Sequence, residues 1–375
     1  MATKHPVIVY GATGYTGKQV CEYLREFNVP FIAAGRDRAR LEETLARVPG
    51  IETATYEIAE VGNDVAALTE LFTGAQVVCN TVGPFATLGH EVVEAATAAG
   101  VHYLDTSGEQ DWLIDCDEKY SAGMADKGLL LAPGTAQMYT TGEIAAEICL
   151  ENHGLDTLDI QVFWKGFPTV ASTLTILVNA ALAKAYYLEQ NQYVEWPADQ
   201  GLETVTVPGQ HETGLALPWG GTSHPVWYRR DPRVANVRVL GGVQNKPLML
   251  GVPQIVAGVV EQVAGLDEAA KLEVLAATSA QVRSEMPPRE NTRINTSTDS
   301  VYASGPLGRA HCVIYGNCNY KQTALLQAYC AYSLLQQAPR RTGFASACQA
   351  FGHRTLLGQL RAFGLVLEPV LTVHR

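Results

Sequence analysis

A glycine-rich turn directly after an apolar segment constrains this chain more than any other feature. The segment PVIVYGATGYTGKQV begins with the apolar residues Val7–Tyr10, as a parallel strand buried on both faces requires. Gly11, Gly14 and Gly17 follow and open a helical pattern. The first glycine allows a sharp turn, the second lets the main chain approach a pyrophosphate, and the third lets helix pack closely on strand. The segment predicts a dinucleotide-binding unit, although glycines at this spacing also occur in ordinary tight turns.

The end of the second predicted strand indicates which dinucleotide binds. Phe31–Ala34 reads as an apolar strand and runs into Gly35 and Arg36, at the spacing where such a fold meets the adenosine ribose. An acidic residue there accepts hydrogen bonds from a free 2′-hydroxyl, whereas the guanidinium of Arg36 suits a 2′-phosphate. We therefore predict NADP rather than NAD. Asp37 is a candidate N-cap for the next helix.

Length and charge exclude several classes of partner. With 375 residues, of which 47% are hydrophobic, the chain is long enough for two domains with ample core. The net charge of −11 makes it a poor binder of nucleic acid or of anionic membranes. The longest apolar stretches, 172–188 and 247–266, are interrupted by polar residues, so we expect no membrane span. We also expect no signal peptide and a cytoplasmic location.

The eight cysteines are scattered, without the spacing of a zinc site. Cys312 and Cys318 are the closest pair. We expect buried or reduced thiols and no metal.

Alternating strands and helices continue through the first third of the chain. We predict strands over 53–58, 76–81 and 101–104, and helices over 65–72 and 89–99. After the 76–81 strand come four residues at the sheet edge where such folds bind ligands, and we predict that they contact the nicotinamide: Val82, Gly83, Pro84 and Phe85. A plain loop with a buried aromatic residue is the alternative.

Polar residues follow the 101–104 strand. Asp105 and Ser107 are further candidate cofactor contacts. Together with Glu109 they are also candidate helix caps, which would explain part of this stretch without a ligand.

Four motifs together resemble the saccharopine dehydrogenase-like NADP oxidoreductases, a group that includes saccharopine reductases and mycobacterial trans-acting enoyl reductases. The motifs are GATGYTG at 11–17, AAGR at 33–36, NTVGPF at 80–85 and HYLDTSGE at 102–109. They cover the chain to about Pro133, and GFASACQAFGH at 343–353 is similar to the family's closing segment.

This resemblance implies a fold and a cofactor. It implies an N-terminal Rossmann-type, doubly wound parallel sheet over 1–133, completed by 340–375, and a second, mixed α/β domain over 134–339. It places Arg36 on the 2′-phosphate of NADP and the Val82–Phe85 loop against the nicotinamide. The cofactor contacts implied on the glycine turn are Gly11, Ala12, Thr13, Gly14, Tyr15 and Thr16.

The resemblance does not extend to the substrate. The enoyl reductase branch is expected to carry a phenylalanine-aspartate-serine stretch after Pro133-Gly134, but this chain has TAQMYTT at 135–141.

The second domain has mixed elements. We predict strands over 159–166, 203–207 and 234–240, a hairpin over 300–315, and helices over 172–188, 266–282 and 320–337. An aromatic-rich loop at 218–230, with Trp164, Phe167, Tyr186 and Tyr187, offers lining for a pocket that takes an apolar or aromatic small molecule, or else it forms packed core. The 172–188 helix is a candidate homodimer contact or a core helix.

Reduction by NADPH needs a proton donor as well as a hydride. Tyr139, in a predicted loop over 133–141, is our first candidate and His224 the second. The short-chain dehydrogenase pattern of a tyrosine four residues before a lysine is absent, because Lys184 precedes Tyr186 and Tyr187.

Three functions remain open at this point. The first is an NADPH-dependent reductase of an enone, a C=C bond or a carbonyl compound with an apolar body. The second is reduction of a saccharopine-like imine, whose carboxylates Arg229, Arg230 and Arg233 would bind. The third is a non-catalytic NADP-binding partner or sensor.

Overall fold

The computed structural model describes residues 5–197, 200–219, 222–282 and 286–374. These residues form two compact units. The first unit takes in the described parts of Met1–Gly108, Trp112–Thr140 and Tyr320–Phe363, and the second those of Glu109–Asp111, Thr141–Asn319 and Gly364–Arg375.

The elements follow one another in this order. Up to residue 150 they are β1 (Val7–Tyr10), α1 (Tyr15–Glu26), β2 (Phe31–Gly35), α2 (Arg38–Leu45), β3 (Tyr56–Glu60), α3 (Val65–Phe72), β4 (Val77–Asn80), α4 (Phe85–Ala99), β5 (His102–Asp105), α5 (Gln110–Asp115), α6 (Ser121–Asp126), β6 (Leu130–Ala132) and α7 (Gln137–Leu150). From residue 157 they are β7 (Thr157–Trp164), α8 (Val170–Ala181), β8 (Tyr186–Glu189), β9 (Gln192–Glu195), β10 (Glu203–Thr206), β11 (Thr213–Ala216), α9 (His224–Tyr228), β12 (Asn236–Val243), α10 (Lys246–Val263), α11 (Glu268–Val282), β13 (Thr296–Gly305), β14 (Gly308–Asn317), α12 (Asn319–Gln336), β15 (Gly343–Phe344), α13 (Ala347–Phe351), α14 (His353–Ala362) and β16 (Val370–His374).

A seven-stranded parallel sheet forms the first unit, in the order β15-β6-β5-β4-β1-β2-β3. Strand β1 lies between β2 and β4, which explains why all four of its residues are buried. The chain runs outward from β1 in both directions, toward β3 on one side and toward β6 on the other. This order confirms the predicted doubly wound, Rossmann-type sheet.

Local signals set the helix ends in the first unit. Asp37 caps α2 by accepting a 2.9 Å hydrogen bond from the Arg40 amide, as predicted. Gly100 ends α4 in the left-handed region, with φ of 77°. Helix α4 begins earlier than predicted, at Phe85, directly after the turn that follows β4.

The second unit contains a mixed seven-stranded sheet in the order β16-β14-β13-β7-β12-β8-β9. Strands β7 and β12 are parallel, and the other neighbouring pairs are antiparallel. The β13–β14 hairpin spans the predicted one, and β10 and β11 form a separate two-stranded sheet. The predicted mixed α/β architecture is confirmed.

One predicted helix is shorter than its apolar pattern. Helix α8 ends at Ala181, and Tyr186–Glu189 is strand β8, so the prediction of a helix over 172–188 is wrong at its end. The side chain of Gln110 fixes the start of this strand, because its Oε1 accepts from the Tyr186 amide at 2.7 Å and its Nε2 donates to the Tyr186 carbonyl at 3.0 Å. Leu177 of α8 packs with Val259, Val263 and Leu275 in a core cluster.

The unit boundaries differ from the predicted domain boundaries near the C-terminus. Helix α12 lies in the first unit, from Tyr320 on, well before the predicted return at residue 340. The last segment, from Gly364, lies in the second unit because β16 pairs with β14.

All eight cysteines lie among the described residues, where each is buried and none forms a disulfide. Of the helices in the described part of the chain, none combines the length and the apolar character that crossing a membrane requires.

Candidate functional site

The strand order of the first unit creates a switch point between β1 and β4. Tyr10 pairs with Asn80 on one side and with Ala34 on the other, so three strands end at the same edge. Open α/β sheets bind ligands in the crevice at such a point. The predicted cofactor residues follow these three strand ends. The glycine turn comes after β1, Arg36 after β2, and the Val82 loop after β4.

The glycine turn has the geometry of a phosphate cradle. Gly11 has φ of 91°, and a Cβ there would lie 2.6 Å from Thr81 Oγ1 and 2.8 Å from Val82 Cγ2. A Cβ on Gly17 would lie 2.3 Å from the Gly11 carbonyl oxygen. At Gly14 the same atom would meet a single protein atom within 4 Å, the Gly11 carbonyl oxygen at 3.2 Å. The turn therefore needs its first and third glycines for its own packing, whereas the second leaves room for a ligand.

Helix α1 begins at this turn without a side-chain cap on Gly14. The amides of the first turn point toward the N-terminal end of the helix, which is the orientation that an anion site requires. Thr13 and Thr16 are half-buried, whereas Ala12 is buried and the Tyr15 ring packs edge-on against Tyr320, with ring centroids 5.0 Å apart. The Tyr15 side chain therefore packs within the first unit, and its contact with the cofactor stays a prediction.

Arg36 extends from the end of β2 into solvent. Over residues 5–197, 200–219, 222–282 and 286–374 its guanidinium has no hydrogen-bond or ion-pair partner, whereas that of Arg38 binds Glu42 and the Ile58 carbonyl. Burial raises the pKa of the Tyr10 hydroxyl, and the positive charge of Arg36 opposes that shift. Arg36 is therefore an available cation at the sheet edge where β1, β2 and β4 end, as a contact of the 2′-phosphate must be. Gly35, the residue before it, is buried and is the last residue of β2.

The Val82–Phe85 loop is held to the glycine turn. Thr81 Oγ1 donates to the carbonyl oxygens of Tyr10, at 2.9 Å, and Gly11, at 3.1 Å. The Val82 amide donates to Asn80 Oδ1 at 2.9 Å. Val82 and Pro84 are half-buried and Gly83 is exposed.

Phe85 is buried, which agrees with the alternative prediction of a plain loop with a buried aromatic residue. A Cβ on Gly83 would lie 3.2 Å from its ring, so the ring folds back against its own turn. Val82, Gly83 and Pro84 are thus the more exposed residues of this loop, and the nicotinamide contacts of all four residues stay a prediction.

Asp105 is a fully buried acceptor rather than a helix cap. One carboxylate oxygen accepts from the Ser107 amide and hydroxyl, at 2.9 and 2.7 Å, and from the Gly134 amide at 2.9 Å. The other accepts from Tyr103 Oη at 2.9 Å and Trp112 Nε1 at 2.8 Å. Burial raises the pKa of Asp105, and hydrogen bonds from Ser107, Gly134 and Trp112 oppose that shift. Asp105 and Ser107 thus organise the loop after β5.

Tyr139 lies in the first turn of α7, so the predicted loop over 133–141 is too long. Its side chain is half-buried, and a Cβ on Gly108 would lie 1.5 Å from its hydroxyl oxygen. The Tyr139 hydroxyl therefore rests on the main chain of the loop that follows β5, within the first unit.

His224, the second candidate donor, is fully buried in the second unit at the start of α9. Its Nε2 would lie 3.0 Å from a Cβ on Gly142, its Nδ1 lies 3.4 Å from Thr222 Oγ1, and its ring packs against Trp227. These contacts hold the ring within the second unit, and the role of His224 as a proton donor stays a prediction.

The aromatic-rich stretch is in large part core of the second unit. Trp227, Tyr228 and Trp164 are buried, Tyr186 and Tyr187 are half-buried, and Phe167 is exposed. Gly220 and Gly221 of the predicted loop lie outside the described residues.

Arg233, predicted as a carboxylate ligand, is bound by carboxylates of its own unit. It forms a bidentate pair with Glu147, at 3.0 and 2.8 Å, and also binds Asp231 at 2.7 Å. Tyr228 Oη donates to the same Glu147 at 3.0 Å.

Sequence reasoning assigned no role to three residues that shape the site. Asn80 holds the Val82 amide, Tyr103 joins Asn80 to Asp105, and Asn63 accepts from the Tyr10 hydroxyl at 3.3 Å. The first two lie inside the motifs at 80–85 and 102–109, but their partners depend on how β4 and β5 pair. Among the described residues, no group of His, Cys, Asp and Glu side chains is arranged to hold a metal ion.

Two family models match the chain. The model of the saccharopine dehydrogenase NADP-binding domain matches residues 7–125, and that of DUF5938, a family of unknown function, matches residues 140–375. The first match confirms the predicted resemblance and the predicted cofactor, NADP.

Curated relatives align with a third of the chain. A lipid droplet localized protein of Caenorhabditis elegans is 35% identical over 136 residues, which cover 34% of this chain and 32% of the relative. A human saccharopine dehydrogenase-like oxidoreductase is 32% identical over 139 residues, which cover 33% and 32%. A trans-acting enoyl reductase of Mycobacterium ulcerans is 31% identical over 132 residues, which cover 34% and 32%. The chain spans about a third of the length of each relative.

The fold is similar to that of a solved structure, saccharopine dehydrogenase (L-Glu forming) from Saccharomyces cerevisiae. The TM-score is 0.65 at 11% identity, over 98% of this chain and 100% of that chain. At this identity the likeness concerns the fold alone.

Proposed function

Because the chain belongs to DUF5938, a family of unknown function, and carries a saccharopine dehydrogenase NADP-binding domain before that region, we propose a function built on this cofactor. The chain is an NADP-dependent oxidoreductase, and we propose that it reduces an enone, a C=C bond or a carbonyl compound with an apolar body. The observation that carries the proposal is the switch point, where the glycine turn, Arg36 and the Val82 loop follow neighbouring strand ends.

These three segments would hold the cofactor. The open space at Gly14 and the uncapped start of α1 suit the pyrophosphate, and the exposed guanidinium of Arg36 suits the 2′-phosphate. The Val82–Pro84 main chain, fixed by Asn80, suits the nicotinamide end. Bound NADPH supplies a hydride to an electrophilic carbon of the substrate.

The protein must then supply a proton to the atom that becomes anionic. Tyr139 is the preferred donor because it is a half-buried residue whose hydroxyl lies over the loop after β5, at the sheet edge that carries the Val82 loop. The hydroxyl gives its proton to the anionic oxygen or carbon and regains one from solvent.

The apolar substrate is favoured over a saccharopine-like imine by the state of Arg233. An imine substrate with several carboxylates needs cations that can bind them. The guanidinium nitrogens of Arg233 already donate to the carboxylates of Glu147 and Asp231. The name of the Mycobacterium ulcerans relative, a trans-acting enoyl reductase, points in the same direction.

Cellular location belongs to the proposal as well. We propose that the enzyme acts in the cytoplasm, while the name of the Caenorhabditis elegans relative makes lipid droplets the location to test against. Fractionation with a droplet marker separates the two locations.

We also propose that the protein is a homodimer. Size-exclusion chromatography with light scattering tests this oligomeric state.

Thermal-shift titration with NADP, NADPH, NAD and NADH tests the cofactor assignment, because a ligand of the folded state raises the melting temperature by mass action. Enones, ketones and saccharopine-like imines are then added with NADPH, and its absorbance is followed. We expect NADPH to stabilise the protein more than NADH, and an apolar enone or ketone to be reduced. If only the imine were reduced, the substrate would be a saccharopine-like imine and not an apolar enone or ketone. Tight NADPH binding without turnover of any compound in the panel would favour a non-catalytic sensor.

A further inference from the structure

Three fully buried polar side chains connect the Val82 loop to the core of the first unit. They belong to Asn80, Tyr103 and Asp105. Asn80 lies opposite Asp105 in the pairing of β4 with β5, and Tyr103 lies two residues before Asp105 on the same strand. All three side chains therefore share one face of the sheet. Asn80 Nδ2 donates to Tyr103 Oη at 3.0 Å, and Tyr103 Oη donates to Asp105 Oδ2 at 2.9 Å.

The direction of each hydrogen bond is set by its neighbours. Asp105 is held by Ser107, Gly134 and Trp112, so its carboxylate has a fixed place and accepts the Tyr103 proton. Burial and the nearby carboxylate hold the pKa of Tyr103 well above its ordinary value, so its hydroxyl stays a donor. Its lone pairs then face Asn80 Nδ2.

This arrangement leaves Asn80 a single satisfied orientation. With Nδ2 bound to Tyr103, Oδ1 faces the Val82 amide and accepts from it at 2.9 Å. A flipped side-chain amide would set two donors, Nδ2 and the Val82 amide, against each other. Tyr103 thus orients the Asn80 side chain that accepts from the Val82 amide.

We infer that Tyr103 is a positioning residue for the nicotinamide end of the cofactor, acting through Asn80 on the main chain of Val82. The inference rests on the proposed placement of the nicotinamide beside the Val82–Pro84 loop. Tyr103 touches neither cofactor nor substrate. Its effect is therefore confined to ligands that carry the nicotinamide.

The test compares the dissociation constants of NADPH and of 2′,5′-ADP, which lacks the nicotinamide, by calorimetry. For Tyr103→Phe we expect NADPH to bind about 3- to 10-fold more weakly, the equivalent of one lost hydrogen bond, with 2′,5′-ADP unchanged. Tyr120→Phe is the matched control, because it removes a tyrosine hydroxyl bonded to His90 in the same unit and should change neither constant. Melting curves establish that each variant is folded.

Asn80→Ala is the second variant should Tyr103→Phe fail to fold, and the same difference between the two ligands is expected. Equal weakening of both ligands, or no change in either, would overturn the inference while wild-type NADPH binding still supports the proposed cofactor. Failure of the wild-type protein to bind NADPH would overturn the proposed function and this inference with it.

Discussion

A Cβ on Gly108 would lie 1.5 Å from the hydroxyl oxygen of Tyr139, so the absence of a side chain at one residue creates the place for the other. Gly108→Ala must displace the Tyr139 hydroxyl from the loop after β5. If this hydroxyl is the proton donor, kcat should fall on the order of 10- to 100-fold, because small misplacements of a catalytic group are costly. Tyr139→Phe should lower kcat at least as much, and the NADPH dissociation constant should stay unchanged in both variants.

Steady-state kinetics with the substrate found in the panel measures this effect. Gly123→Ala is the control, because a Cβ at that exposed position of α6 meets nothing within 4 Å. Unchanged kcat in both Gly108→Ala and Tyr139→Phe would remove Tyr139 from the mechanism.

The phosphate assignment of Arg36 predicts a selective loss. Arg36→Ala removes a charge-assisted contact worth about 1.5–3 kcal/mol from NADPH binding, which is about 10- to 150-fold in the dissociation constant. NADH lacks the 2′-phosphate and should bind as before. Arg47→Ala removes an exposed arginine that pairs with Glu43 on α2 and should affect neither cofactor. Equal effects of Arg36→Ala on both cofactors would contradict the assignment.

The strand ends and the glycine turn of the first unit were predictable because the information for them is local in sequence. Glycine spacing and strand ends lie next to one another along the chain, so Gly11–Gly17 and Arg36 could be placed without knowledge of distant residues. Asn80 and Tyr103 illustrate the opposite case. Their roles follow from the register of β4 with β5, and one sequence does not determine that register.

The second unit was harder for the same reason. The apolar pattern of α8 continues toward Tyr186, and only pairing with β9 and β12 makes Tyr186–Glu189 a strand. Aromatic side chains such as those of Trp227 and Tyr228 can line a pocket or pack in a core, so their type alone did not distinguish the two. Both are buried in the structure, as core residues are. Tertiary partners therefore determined the features that local patterns left open.

The two glycines at the start of α1 should respond differently to alanine. Gly17→Ala places a Cβ 2.3 Å from a carbonyl oxygen of the main chain, so we expect a loss of stability of about 1–3 kcal/mol together with weaker cofactor binding. Gly14→Ala meets one atom at 3.2 Å, so the cofactor-free melting temperature should change little, whereas NADPH should no longer raise it. Differential scanning fluorimetry with and without NADPH measures both. If Gly14→Ala retained the full NADPH shift, the pyrophosphate would not approach this glycine.

Arg233 should contribute to stability rather than to substrate binding. Arg233→Met leaves the largely buried carboxylate of Glu147 with Tyr228 as its remaining polar partner from this cluster. Because the guanidinium is half-exposed, we expect a loss of about 1–2 kcal/mol, less than for a fully buried pair. Lys184→Ala, which breaks an exposed pair with Glu195, should cost less. Urea unfolding measures both, and a raised KM for a carboxylate substrate with unchanged stability would restore Arg233 as a ligand.

The stability of the first unit should fall in weak acid because of His102. This half-buried side chain accepts a 2.8 Å hydrogen bond from the Leu130 amide through Nδ1, and burial lowers its pKa below the ordinary value of 6.5. A group with a lowered folded-state pKa adds its full stability above the unfolded value of 6.5 and loses it as the pH falls through the folded value. His102→Asn keeps an acceptor but cannot be protonated, so its unfolding free energy should fall less between about pH 7 and about pH 5. His102 is the first residue of β5 and lies away from the carboxyl ends of the strands, so NADPH binding should be unchanged. If the unfolding free energies of variant and wild type fell in parallel with pH, His102 would not be the titrating group.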